Sequence, residues 1–400
     1  MRTYRELFRT PEFSPLLVAS ACQVAGQTVG GLALGTLVYG TTGSPLLSSL
    51  AMFGPALAQV VGAATLLSAA DRLPPRAALT GLGLLPALGT AVQALPGLPL
   101  WASFAVLTVL GVLASLGGGV RYGLLNELLA REGYLLGRSV FGMASGVLQI
   151  GGFAVGGALV ATLSPRGTLL VAAALYAAGA AVAHRGLAAR PPRATGRPSL
   201  ARTRRANALL WTDRPRRSVY LALWLPNGLI VGCESLYVPY APRQAGLLFA
   251  CGALGMLIGD TLVGRWVPRH RAGRLAVPLC LLLAGPYLVF AVRPPTAVAV
   301  AAVLLATLGY ASGLLLQDRL MALTPDELGG HALGLHSSGM LTCQGVGAAL
   351  AGALAEGLPP GRAMAALAVA SMGVTVVLAP GLRAEPAPRA PHGTGAARDA

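Results

Sequence analysis

Apolar stretches of about 20 residues recur along this chain between short loops, and arginine crowds into every second loop. A helix rises about 1.5 Å per residue, so roughly 20 residues cross the ~30 Å hydrocarbon core of a bilayer. Twelve such stretches can be delimited, in two sets of six. The first set covers 14–40, 46–69, 77–95, 99–120, 139–163 and 167–185, and the second covers 218–240, 245–264, 274–292, 296–316, 332–356 and 362–382. The pattern predicts an all-α membrane protein with twelve transmembrane helices.

Composition agrees. Only 11% of the 400 residues are charged, where a soluble domain carries roughly 25%, and the mean hydropathy is +0.66. A net charge of +16 would ordinarily raise the question of nucleic acid. Here the basic residues lie in loops between spans, where they set topology and meet anionic lipid headgroups, and nucleic-acid binding is not expected. The first stretch, from Phe13 to Tyr39, is longer than a 7–15-residue signal core and has no A-x-A-like cleavage site, so it reads as a span. The five cysteines all fall within spans and show no metal-ligand spacing. No metal or cofactor is expected. The chain contains no lysine, so it holds no G-x-x-x-x-G-K-[ST] loop, and ATP-driven transport by this chain alone is not expected. No catalytic triad pattern is visible, which argues against an enzyme.

Arginine fixes the orientation. One side holds the N-terminus, the 70–76, 121–138 and 265–274 loops, the central linker, Arg319 and the C-terminal tail, with 26 of the 30 arginines. The other side holds Arg166, Arg243, Arg293 and Arg362. The positive-inside rule places both termini and the linker in the cytoplasm of a cell membrane. The expected organisation is a six-helix half at 1–185, an arginine-rich linker at 186–217, a second half at 218–382 and a disordered tail at 383–400.

The halves read as parallel repeats. A shift of 195 positions aligns Gln149 with Gln344, Gly152 with Gly347, Gly157 with Gly352 and Pro165 with Pro360. Two such halves related by an axis along the membrane normal form a known transporter architecture.

Three local sequences carry a family resemblance. The opening YRELFRTPEF and the first external turn YGTTGSP look like those of bacterial efflux proteins. The loop after the second span, LSAADRLPPR, follows the pattern G-x-L-A-D-R-x-G-R-R at Ala70, Asp71, Arg72 and Arg76, with Leu67, Pro74 and Pro75 departing from it. In the second half, GDTLVGRWVPR keeps Arg265 and Arg269 but has Gly264 where the acid would stand. Over residues 4–382 the chain therefore resembles the major facilitator superfamily. The resemblance implies a cytoplasmic gate at Asp71, Arg72, Arg76, Arg265 and Arg269. It also implies a central cavity lined by the first, fourth, seventh and tenth spans. The glycine-rich fifth span, GFAVGG with Gly152, Gly156 and Gly157, has Phe153 where antiporters of the family carry proline. It matches GAALAG, Gly347 to Gly352, in the eleventh span. These small residues let helix backbones approach, as packing alone or as a bendable interface between halves. The arginine that proton antiporters carry well inside the fourth span is not found. Arg121 falls at that span's inner end and is expected to reach the interface.

An ionised side chain within a span costs about 2.5–3.5 kcal/mol on insertion scales, so an intramembrane carboxylate is a functional candidate. Glu234 is the clearest, with Asn227 seven residues before it and Tyr237 three after, on one helical face. Asp260 and Glu356 lie near span ends, where they can reach water. Gln23 and Gln27, one turn apart in the first span, could converge with Asn227 and Glu234 on the central cavity. His336 lies near the inner end of the eleventh span. The sequence thus reads as a monomeric secondary transporter working by alternating access, exporting a small, partly apolar compound in exchange for protons. Uptake by the same fold, or a membrane sensor or enzyme without transport, remains the alternative.

Overall fold

In lipid every backbone N–H and C=O must find its partner within the protein, and helices meet that demand inside each segment. The computed structural model describes residues 4–66, 73–129, 131–192, 205, 208–267, 269–325 and 328–383. A short helix, Tyr4–Arg9, leads into α1 (Phe13–Thr42), α2 (Pro45–Leu66), α3 (Pro75–Gln93) and α4 (Leu100–Leu128). One continuous element follows, Arg131–Gly186, of 56 residues. Unbroken it would run about 84 Å, far beyond a bilayer. Ser164 breaks it with φ 73° and ψ 161°, just before Pro165, whose ring disfavours helical geometry in the preceding residue. The two pieces are α5 (131–163) and α6 (165–186).

The second half contains α7 (Arg214–Ser235, followed by a turn at Tyr237–Tyr240) and α8 (Ala245–Trp266). In α9, Arg269–Ala284 continues as a 3-10 helix, Gly285–Val292. In α10, Thr296–Thr307 and Ser312–Ala322 are joined by a 3-10 turn, Leu308–Ala311. Last come α11 (Gly329–Gly357) and α12 (Pro360–Arg383). Ten apolar elements are long enough to span a membrane. One of these, Leu136–Gly186, contains the break at Ser164, and α3 is a further 19-residue helix, giving twelve helical segments among the described residues.

Helix ends follow local chemistry. Proline opens α2, α3 and α12, where a missing N–H costs nothing. Gly43, at φ 67°, ends α1 and returns its N–H to the Tyr39 carbonyl at 2.8 Å. The helices overrun the expected spans at the arginine-rich face: α4 continues to Leu128 and α5 begins at Arg131, so most of the expected 121–138 loop is helical.

The apolar cores explain how the halves sit. At the arginine-rich end, Phe13, Leu82, Val120 and Phe141 form a core within α1–α6, and Tyr220, Trp224, Val277 and Leu320 form a separate one within α7–α12. At the opposite end the second-half cluster of Ile230, Tyr237, Phe249 and Tyr287 takes in Leu32 of α1, and Tyr39, Met52 and Phe153 pack on it, while the first half keeps a smaller cluster of its own around Ala33, Leu34, Val38 and Leu169. The described cores thus join the halves at the arginine-poor face and stay separate at the other.

Glycines set the helix spacing. Gly152 of α5 meets Thr28 of α1, and its repeat partner Gly347 of α11 meets Gly228 of α7. Gly157 of α5 meets Gly246 of α8, and its partner Gly352 meets Leu46 of α2. Residues equated by the 195-residue shift thus make equivalent contacts: one to the first helix of their own half, one across to the second helix of the other. A Cβ on Gly347 would collide with the Gly228 carbonyl backbone, whereas one on Gly334 would meet nothing within 4 Å. Gly347→Ala should therefore destabilise the protein by about 1–3 kcal/mol through overpacking, and Gly334→Ala should not. Thermal unfolding of the purified variants tests this, and equal melting points would refute the close-approach argument.

Entry and exit of the first half are tied together. Both Glu12 oxygens accept from Arg190, at 2.7 Å each, and Oε2 also accepts from the Ala188 N–H at 2.9 Å. Burial opposes ionisation of Glu12, but these hydrogen bonds outweigh it and hold the carboxyl below its ordinary value. A lowered folded-state pKa gives stability that is present above the unfolded value and lost as pH falls through the folded one. Glu12→Gln should therefore melt below the parent at neutral pH, with the gap closing as pH falls through the lowered folded-state pKa. A pH series of melting curves with a constant gap would contradict the assignment.

Candidate functional site

Contacts between the halves run along two seams at the arginine-poor face. In one, α2 lies on α11 from Leu46, against Gly352, to Leu57, against Gly345. In the other, α5 lies on α8, with Phe153 and Phe249 stacked at a centroid distance of 4.6 Å. From Pro45 to Leu57 the first seam runs about 18 Å, roughly to mid-bilayer.

A carboxylate closes its rim. Glu356, near the end of α11, accepts from the Ser44 hydroxyl at 2.5 Å and from the Leu46 N–H at 3.2 Å. It therefore caps the N-terminus of α2 from the other half, where the unpaired amides and the helix dipole favour an anion. Deeper in, the Ser49 hydroxyl of α2 donates to the Ser235 carbonyl of α7 at 3.4 Å. Sequence reasoning left Glu356 in water, because its partners lie 312 and 310 positions away and no local motif announces them.

The polar groups of the second half converge. Tyr310, in the 3-10 turn of α10, donates its hydroxyl to Glu234 Oε1 of α7 at 2.9 Å. Gln344 of α11 donates to Asn227 Oδ1 of α7 at 2.9 Å. Asn227 and Tyr310 also line one narrow crevice, with Pro226, Leu283 and Ser312. Asn227, Glu234, Tyr310 and Gln344 are each partly exposed, although Cys233, Ser235 and Tyr237 beside Glu234 are buried. The 3-10 turn swings Tyr310 into this position, and Gly309 beside it packs within reach of the α9 backbone at Leu279 and Leu283.

Three other expected members do not bond to this group. Tyr237 leaves the face of Glu234: α7 ends at Ser235, and the ring is fully buried with its hydroxyl 2.6 Å from that of Tyr287. Gln23 does not meet Glu234. Its amide donates to the Leu82 carbonyl of α3 at 2.9 Å and accepts from Arg121 of α4 at 3.1 Å, all within the first half. Gln27 is exposed on α1. Arg121 itself turns inward to Gln23 instead of reaching the interface.

Of the expected gate residues, Asp71 and Arg72 lie outside the described residues. Arg76, in the first turn of α3, comes within 3.5 Å of His184 Nε2 of α6. Arg265 is exposed near the end of α8, and Arg269 begins α9. His336 is buried, with its backbone carbonyl accepting from the Trp224 indole at 3.0 Å.

Two helical bundles, joined by matched glycine contacts and with polar groups gathered within the second, make a polytopic helical membrane protein. The sequence matches the Major Facilitator Superfamily over residues 16–317, and the chain belongs to that family. Its fold is shared with a bacterial homolog of the human lysosomal transporter Spinster, in an inward-facing and unoccupied conformation. The TM-score is 0.72 at 13% identity, covering 96% of this chain and 97% of that one. It is shared too with a POT family transporter in complex with a thioalcohol-conjugated peptide, at TM-score 0.73, 12% identity and 93% and 96% coverage. The nucleoside transporter NupG gives TM-score 0.72 at 13% identity, with 93% and 98% covered. No curated protein matches the sequence.

The rim contact is testable. In a background without the five native cysteines, a cysteine at Ser49 should be shielded from membrane-impermeant thiol reagents applied to the arginine-poor face. Adding Glu356→Gln removes the charge that caps α2 and should raise the labelling rate several-fold. Unchanged labelling would show that Glu356 does not hold the seam.

Proposed function

We propose that the protein is a secondary transporter that exports a small, partly apolar compound across the cell membrane by alternating access, in exchange for entering protons. The observation that carries this reading is the Glu234–Tyr310 hydrogen bond: a partly exposed carboxylate inside a span, held by a phenol on a broken stretch of the facing helix. A carboxylate in that place is costly, and a proton-exchanging role accounts for its retention. Ionised, Glu234 accepts a charge-assisted bond from Tyr310; protonated, it no longer does so as an anion, and the α7–α10 contact weakens. Ser235, the next residue, lies on the seam with α2. A proton at Glu234 therefore acts beside the contact that separates the two access states.

The remaining assignments follow from the same reading. With both termini and the 186–217 linker in the cytoplasm, the shared core and the Glu356 cap lie outside, and this conformation faces inward. Residues 1–185 and 218–382 move as the two halves. Gly152, Gly156, Gly157, Gly347 and Gly352 provide the surfaces on which they pack and rock. Asp71, Arg72 and Arg76, with Arg265 and Arg269, latch the cytoplasmic side in the opposite state, through contacts worth about 1–3 kcal/mol. Asn227, Gln344, Gln23 and Gln27 line the substrate path of a monomer.

Glu234→Gln fixes the uncharged form. The variant should fold and melt as the parent does, lose proton-driven accumulation in everted vesicles, and keep energy-independent exchange of substrate. A variant that still builds the full proton-dependent gradient would remove Glu234 from the coupling mechanism. Accumulation by right-side-out vesicles would reverse the direction to uptake.

A further inference from the structure

Four carboxamide side chains lie midway along α1, α5, α7 and α11: Gln27, Gln149, Asn227 and Gln344. They are equivalent in pairs. The 195-residue shift equates Gln149 with Gln344. Gly152 meets Thr28 as Gly347 meets Gly228, so Gln27 and Asn227, each one residue before these contacts, correspond as well. The Gly152–Thr28 contact also puts Gln149 and Gln27 within about one turn of each other in depth. In the second half a hydrogen bond of 2.9 Å joins Gln344 to Asn227.

Both glutamines stand where the halves meet. On α5, Gln149 lies between the face at Gly152, which meets α1, and the face at Phe153 and Gly157, which meets α8. On α11, Gln344 lies between Gly347, against α7, and Gly345, against Leu57 of α2. Each is therefore flanked by one helix of its own half and one of the other. Helix α1 is covered by α5 at Thr28, by α6 at Gly26 and Gly30, and by α3 and α4 at Gln23. The side that carries Gln27 and Gly31 is left open: a Cβ on Gly31 would meet nothing within 4 Å, nor would one on Gly118 of α4.

A carboxamide has two N–H donors and a carbonyl acceptor. Gln27 and Gln149 are exposed, and among the described residues neither has a partner. Asn227 and Gln344 share one hydrogen bond without a reciprocal one, so whichever way the amides are turned a carbonyl oxygen and most of the N–H groups stay free. Polar groups held within spans cost free energy unless something pairs with them. None of the four is charged, and the acid on α7, Glu234, lies seven residues beyond Asn227, about 10 Å along the helix.

We propose that these four carboxamides recognise an uncharged group that presents a hydrogen-bond donor beside an acceptor, a primary amide or a lactam, carried on the apolar body of the transported compound. This rests on the transporter reading above and narrows its substrate class. Asn and Gln match such an edge with their own N–H and C=O, as they do the donor–acceptor edge of adenine. A carboxylate would leave the carbonyl oxygens unpaired, and an ammonium would leave the N–H groups unpaired, so both are disfavoured.

The purified full chain, in phosphatidylcholine nanodiscs, is melted with two primary amides, 4-phenylbutanamide and octanamide. The comparison compounds are 4-phenylbutyrate, 4-phenylbutylamine and N,N-dimethyl-4-phenylbutanamide, which keeps the carbonyl and lacks the N–H. The primary amides should raise the melting temperature in a saturable way, and the other three should not. Gln149→Leu leaves no described group unpaired, so it should fold, and it should weaken amide binding by about fivefold or more. Gln27→Leu, at the other exposed position, should do the same. No saturable response to either amide, equal stabilisation by all five compounds, or amide binding untouched in both variants overturns the proposal. Binding is read without any gradient. Amide binding that depends on Gln149 in a protein that builds no proton-driven gradient therefore counts against proton-coupled export and leaves this site standing.

Discussion

Lipid tails are as apolar as leucine, so helices inside a bilayer gain nothing by hiding apolar surface from one another. Association must come from close packing and from hydrogen bonds that the tails cannot offer. In this chain the close packing is concentrated at glycines. Gly228 and Gly232 of α7 lie against Cys343 and Gly347 of α11, and Gly246 of α8 lies against Gly157 of α5. The first set holds one half together, and the second joins the halves. The same residue type in the same repeat positions therefore does two jobs. Dispersion falls off within an ångström or so of lost contact, so a seam of this kind is either closed or parted, with little in between. That is the behaviour a two-state carrier requires.

The polar contacts are arranged on the same plan. Within the second half, Gln344 is bonded to Asn227 and Tyr310 to Glu234, so α7 is tied to both α10 and α11. Tyr220, Trp224 and Cys233 add bonds to Ala332, His336 and Met364 within that half, whereas between the halves the described polar contacts come from two side chains, Glu356 on α2 and Ser49 on Ser235. Interhelical hydrogen bonds in membranes average only about 0.6 kcal/mol, so these two leave the seam weak enough to part. Each half is tied internally more firmly than it is tied to the other.

Much of this was legible from sequence because bilayer physics acts on long segments. A 20-residue apolar window and an arginine count need no knowledge of partners, and they gave the spans. The 195-residue register, carried by Gly152, Gly157, Gly347 and Gly352, pointed to contacts that are equivalent in the folded chain. What sequence could not supply was partner choice across distance. Glu356 and Ser44 are 312 positions apart, Gln344 and Asn227 117, and Arg121 and Gln23 98. Nor did helical periodicity anticipate where helices break. Tyr237 left the face of Glu234 because α7 ends at Ser235, and Tyr310 reached that acid through a turn of 3-10 helix. The expected loop around 121–138 was folded into helix, which is why Arg121 was misplaced at the interface.

The position of Glu234 bears on how a proton and a substrate can be coupled. It is partly exposed while its chain neighbours Cys233 and Ser235 are buried, so it stands at the edge of the buried cluster. Ser235 belongs to the seam, Cys233 donates from its thiol to the Met364 carbonyl of α12 at 3.3 Å, and Glu234 itself is bonded to α10. Three consecutive residues thus contact α2, α12 and α10. A change in the charge of the middle one alters the balance of contacts at the end of α7 without the rest of the helix having to move. Coupling free energies of about 1–3 kcal/mol suffice to shift a two-state equilibrium by one or two orders of magnitude. One charge-assisted hydrogen bond lies in that range. On the proposed reading no long relay between proton and seam is needed: the acid and the seam residue Ser235 are neighbours in the chain.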